Sequence, residues 1–166
     1  MNRPITSPFQ DQSSGNTSDR HLYRVSVREM AEAIARLIEQ RFAGLAEIEL
    51  PTDEESFILI APERLGYLLK SIFKLIDGGA YLHIGCYRNQ TDFVLEIVPS
   101  LPIDLTLHAQ SAICSAARTT GFSATITDEK ISLTAEIDNA HSRIKAVYET
   151  KKIDLGKIFE RLFSEQ

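Results

Sequence analysis

The chain has 166 residues, an apolar fraction of 43%, a charged fraction of 25% and a formal net charge of −5. It is long enough for one domain with a proper core, and its composition is ordinary for a soluble globular protein. The acidic balance leaves no basic stripe for nucleic acid, and every apolar run falls far short of the ~20 residues a membrane helix requires.

Residues 1–20 are rich in Ser, Asn, Gln, Asp, Thr and Pro, with Ile5 and Phe9 as the large apolar residues. Such a segment buries too little surface to offset its ordering entropy, so a disordered tail over 1–22 is expected. It has no apolar core segment, so no signal peptide is expected either. A domain over 23–140 and an extension over 141–166 complete the expected division. Cys86 and Cys114 fall in segments that read as a strand and a helix. Neither sits in a C-x-x-C, which points to two thiols in a reducing cytoplasm rather than a disulfide, a metal site or a nucleophile.

Ser26-Val27-Arg28-Glu29 has the form of a capping box and opens the first expected element. Val27, Met30, Ala31, Ile34, Leu37, Ile38 and Phe42 then mark one face of a helix running to about Ala43, with Gly44 as its stop. Ala46-Glu47-Ile48-Glu49-Leu50 alternates as a half-buried strand does. Four apolar residues over 57–60 suit a buried strand. Pro62 fits the first position of a second helix. Leu65, Leu68, Leu69, Ile72, Leu75 and Ile76 recur along one face of it, and Gly78-Gly79 stops it.

Beyond Gly79 the period changes to two. Residues 82–86 and 93–98 form an expected antiparallel hairpin around Arg88-Asn89-Gln90-Thr91-Asp92. Pro99, Leu101 and Pro102 read as a loop. A third helix is expected over 105–120, its inner face made of Ala109, Ala112, Ile113, Ala116 and Ala117. A second hairpin over 122–137 follows, then a connector, a short strand within 143–149 and a helix over 154–163. The apolar residues of that last helix cover more than one face, which leaves open a cap on the sheet, a partner or a homodimer. Paired strands with few, long helices make an α+β two-layer sandwich: a mixed, largely antiparallel sheet on about three helices, plus a C-terminal helix.

With that order in place, and with Ala61-Pro62-Glu63-Arg64-Leu65 at the head of the second helix, the chain resembles the ATP-binding domain of sensor histidine kinases. These belong to the gyrase, Hsp90, histidine kinase and MutL superfamily. Kinases of this kind show Asp-Pro-x-Arg-Leu at that place, and the resemblance runs over about 25–137. It implies an ATP and magnesium site that can be checked residue by residue. The family's N-x-x-x-N-A positions fall on Ser71 and Leu75, and leucine offers no oxygen to a hard cation. The family's Asp-x-Gly, which holds the adenine amino group, reads Pro99-Ser100-Leu101 here. The glycines that wrap the triphosphate are replaced by Leu107-His108-Ala109-Gln110-Ser111-Ala112. The expectation is therefore a degenerate site at Ser71, Leu75, Pro99 and Leu101, with no catalytic residue, no metal and no cofactor.

Of the histidines, His83 reads as a strand residue, His108 as exposed on a helix and His141 as part of a connector. His21 has an acidic neighbour, as phosphoacceptor histidines do, but lacks the helical hairpin such a residue sits on. No Ser-His-Asp set, P-loop or zinc spacing appears. The leading reading is a non-catalytic histidine-kinase-like domain that docks another protein, a response regulator or a kinase, in bacterial signalling. One alternative is an ATP-binding or kinase-type domain with shifted ligands drawn from Ser71, Lys74, Asp77 or Arg118, or a phosphotransfer-related protein. Another is an unrelated α+β sandwich that takes a small apolar ligand where ATP would sit, a reading that a cavity filled by the Leu75, Leu101 and Leu107 side chains would remove.

Overall fold

The computed structural model describes residues 22–51, 55–76, 80–138, 148–149 and 153–165. Residues 1–21 of the expected tail, including His21, lie outside the described residues, as do Asp53, Asp77, the glycine pair and His141, whereas Leu22, also expected in the tail, opens the first strand.

The first described element is a strand, β1 (Leu22–Ser26), and not the helix that follows it, α1 (Val27–Arg41). Leu22, Tyr23 and Val25 alternate too briefly to announce a strand. What makes them one is pairing with β3 (Phe57–Ile60), in an antiparallel register from Tyr23↔Ile60 to Ser26↔Phe57. A two-residue β8 (Tyr148–Glu149) adds to β1 in parallel. The 57–60 strand thus belongs to a small separate sheet, because its partner lies upstream in the chain.

The main sheet has five strands in the order β2-β4-β5-β7-β6, with β2 (Gly44–Glu49), β4 (Leu82–Arg88), β5 (Asp92–Pro99), β6 (Ser123–Ile126) and β7 (Ile131–Glu136). β2 and β4 are parallel, and the other neighbours antiparallel. The hairpin registers align apolar rows across the sheet. Ala46, Ile84, Ile97, Ile131 and Ile126 form one row, and Ile48, Cys86, Leu95, Leu133 and Ala124 the next. These rows face the helices and make the floor of the core. A fully buried Ile or Leu there contributes about 1.5–3 kcal/mol. The opposite face carries Glu47, Gly85, Glu96, Ser132 and Thr125 in register.

The helices α1, α2 (Pro62–Ile76) and α3 (Leu107–Arg118) form the second layer. Ser26 caps α1, its hydroxyl accepting the Glu29 amide at 2.9 Å, and Thr106 caps α3 by accepting the Ala109 amide at 3.0 Å. On α3 only Ile113 and Ala117 are buried. Ala112 faces solvent, so the small-residue inner face is narrower than expected, because α3 lies over the edge strand β6 and touches the core along one line. The last helix, α4 (Leu155–Ser164), does not cap the sheet. It packs on α1 and α2 from outside, burying Leu155, Phe159 and Leu162. Its end joins an aromatic cluster in which Phe42 and Phe73 lie 4.8 Å apart and Phe163 stands 6.0 Å from each.

This second contact explains a difference on α2. The buried residues are Leu65, Leu68, Leu69, Ile72 and Phe73, with Pro62 and Gly66. Leu75 is not among them. The face of α2 was expected to run through Leu75, but the helix is covered on the sheet side and on the α4 side, where its last turns bury Phe73 and pack Ile76, and Leu75 falls outside both.

Candidate functional site

Strand direction sorts the loops into two ends. β4 starts, and β5 stops, at what is here called the upper end, where Leu82 pairs with Pro99. α2 therefore finishes there, β2 starts there, and α3 departs from there. The upper end is where the resemblance places a nucleotide.

The segment 100–106 that joins β5 to α3 is tied down tightly. The Ser100 amide donates to the Tyr81 carbonyl at 2.8 Å, and the Ile103 amide to the Asp128 carbonyl at 2.8 Å. The Tyr81 amide donates to Ser100 Oγ at 2.9 Å, and Gln110 Nε2 holds the Leu105 carbonyl at 3.0 Å. Ile103 turns into the core. Pro99, expected to begin the loop, is instead the last residue of the ladder and is buried.

The sequence-predicted positions spread over this end. Ser71 and Lys74 are exposed on α2. The large apolar residues exposed among the described residues are Leu45, Tyr67, Leu75, Tyr81, Leu101 and Leu107. All but Tyr67 belong to the upper end, each between 48% and 82% exposed. Leu75, Leu101 and Leu107 thus stand out on a surface. Leu45 and Tyr81 were not legible as members of this group, since only the parallel pairing of β2 with β4 brings their strand starts together. Arg118, at the far end of α3, is not part of it.

The remaining polar groups are accounted for elsewhere. His83 Nε2 lies 2.9 Å from Glu47 Oε1 on the open sheet face. Beside them Glu96 accepts from the Tyr87 hydroxyl at 2.9 Å and from Lys130 Nζ at 3.0 Å. Burial alone would raise the Glu96 carboxyl, but these two donors outweigh it and hold the group below its ordinary value. His108 is exposed on α3. Burial pushes the Cys86 thiol up to about 12, which leaves it protonated and inert; Cys114 is half-buried and also free. At the lower end a cavity of about 460 Å3 lies between α1 and the end of β2. Its two arginines are engaged, Arg28 with the Leu50 and Pro51 carbonyls and Arg88 with Ser56 Oγ. No group of three or more His, Cys, Asp or Glu able to hold a metal ion occurs among the described residues. No described helix is long and apolar enough to cross a membrane.

A mixed five-stranded sheet, helices on one face and a small accessory sheet at the lower end define a histidine-kinase-like ATPase fold. The histidine kinase AdeS of Acinetobacter baumannii superposes with a TM-score of 0.50 at 11% identity, over 72% of this chain and 69% of that one. Histidine kinase ThkA, solved in complex with the response regulator TrrA, gives 0.46 at 11% identity, over 70% and 41%. The ATP-binding domain of PrrB from Mycobacterium tuberculosis gives 0.42 at 11% identity, over 70% and 96%. No protein-family model matches the chain, and neither does any curated protein.

Proposed function

We propose that this chain is a non-catalytic histidine-kinase-like domain that docks another protein in bacterial signalling, with the upper end as its docking surface. The observation that carries this reading is the apolar character of that end: Leu45, Leu75, Tyr81, Leu101 and Leu107 are all exposed there. A phosphate cradle needs converging N–H donors and a carboxamide or carboxylate for its magnesium. The Leu75 and Leu101 side chains offer no oxygen to magnesium, Pro99 has no N–H to give, and it is held in the ladder opposite Leu82. Large apolar side chains exposed together at one end of a domain are instead what a protein partner covers. Response regulators and kinases are the partner class that the fold suggests, by analogy alone.

Two measurements test the reading. Thermal unfolding with and without ATP and magnesium is expected to give the same Tm. A ligand at a hundred times its Kd would add about 2.7 kcal/mol, a rise of roughly 5–10 °C for a chain of this size. Such a rise would return the chain to the nucleotide-binding class, with Ser71 and Lys74 as the polar side chains at hand. Separately, receiver domains and kinases from the same organism are titrated one at a time against the chain and against a Leu101→Asp, Leu107→Asp variant. The expected result is one partner whose affinity falls at least about tenfold in the variant, while Tm is unchanged because both side chains are exposed. Equal binding by the two forms would remove the upper end from the docking role.

A further inference from the structure

The geometry points to the outer edge of β2 as a site for an extended, lysine- or arginine-bearing segment of another protein, taken up as an added strand. β2 closes the five-stranded order, so it pairs with β4 on one side and with no strand on the other among the described residues. Its six residues, Gly44–Glu49, contain no proline. An edge of that length presents a row of backbone donors and acceptors to an incoming chain.

The side chains beside this edge decide what kind of chain fits. Along β2 the exposed positions are Leu45, Glu47 and Glu49, all on the open face of the sheet, while Ala46 and Ile48 pack inward. On the other side α1 runs antiparallel to β2, with Ile38 against Gly44 and Arg28 reaching the Leu50 carbonyl at 3.2 Å. Helical spacing then sets Arg28, Glu32, Ala35 and Glu39 along the flank of α1 nearest the edge, opposite the flank that meets α4. Arg28 is occupied, its Nη2 also holding the Pro51 carbonyl at 2.6 Å. Glu32 and Glu39 are exposed, and the small Ala35 lies between them.

An added strand would therefore lie between Glu32 and Glu39 on one side and Glu47 and Glu49 on the other. Its side chains alternate faces, so basic residues meet Glu32 and Glu39 on the α1 side, and on the open face Glu49 and Glu47, the latter already paired with His83 at 2.9 Å. A second copy of this chain does not suit the edge, because β2 against β2 sets glutamates opposite or diagonal to glutamates, and like charges across a pair are destabilising. The occupant is thus a different, basic partner. The inference does not rest on the docking role of the upper end.

The test is a fluorescein-labelled, acetylated peptide of alternating Lys and Val, titrated with the full chain by anisotropy at low and physiological salt, with hydrogen exchange read on the complex. Binding is expected, with slowed exchange at the β2 amides. An affinity loss of at least about tenfold is expected when the peptide backbone is N-methylated on one edge, or when the chain carries Glu47→Lys and Glu49→Lys. The N-methylated peptide keeps its charge but cannot pair on that edge, so equal affinity for both peptides would mean adsorption by charge alone and would overturn the proposal. So would protection confined to other strands, or no binding. If the double variant does not fold, the comparison of the two peptides on the unaltered chain decides the matter.

Discussion

Phe159→Ala is expected to lower the unfolding free energy by about 3–5 kcal/mol, the usual cost of removing a buried phenylalanine. For a chain of this size that corresponds to a Tm roughly 10 °C lower. Phe159 is buried, and its ring sits against Gly66, where an added Cβ would meet it at 3.4 Å and come closer still to Leu162. That close approach is what lets α4 settle between α1 and α2. Truncation leaves a gap that two helices bridged by Leu155 and Leu162 cannot close. The polar contacts around α4 do not replace it. Lys70 Nζ holds the Leu162 and Glu165 carbonyls at 2.8 Å each, a favourable cation at a helix C-terminus. The Arg161–Glu63 pair at 2.7 Å is more than half exposed on both sides and contributes little. Urea and thermal unfolding measure the effect. A loss below about 1 kcal/mol would mean that α4 is only loosely seated in solution.

Gly121→Ala is the second large effect, expected to cost about 2–4 kcal/mol from left-handed strain and overpacking together. Gly121 has φ 103° in the turn from α3 to β6, and a Cβ there would stand 2.5 Å from the Leu59 carbonyl oxygen and 3.4 Å from Ile60 Cα. Both obstacles are backbone and neither can swing away. The turn is held against β3 by the Ala61 amide, which donates to the Thr120 carbonyl at 3.0 Å, so a shift here would part α3 from the start of α2. Gly85→Ala is the control, since a Cβ at Gly85 meets nothing within 4 Å. Equal losses in the two variants would show that the cost at Gly121 is not steric.

Much of the architecture was legible because its signals are local. The serine cap of α1, the proline opening α2, the change to period two after α2 and the turn residues of both hairpins act through neighbours in the chain, and the structure places elements where they indicate. Burial was legible only where one face of an element is covered. On α2 the spacing of Leu75 is as good as that of Leu69, yet Leu75 is exposed and Phe73 buried, because α4 and the aromatic cluster cover a second side of the helix. β1 was missed for a related reason: five residues with three apolar ones become a strand only through a partner more than thirty residues away in the chain. The apolar upper end follows the same rule. Leu101 and Leu107 could be singled out from the residues, but Leu45 and Tyr81 join them through a parallel pairing that leaves no mark on either segment.

By itself the sequence determined the four described helices and, β1 apart, which segments are strands, their order, and the residue types at each position of the nucleotide-site pattern, since all of these depend on spacing along the chain. Only the tertiary structure decided which faces are doubly covered, which strand starts meet at the upper end, that β2 is an edge with carboxylates on both sides, and that α4 closes over the helices instead of the sheet. Those are contacts between residues far apart in the chain, and periodicity fixes the face a side chain occupies without fixing what lies across from it.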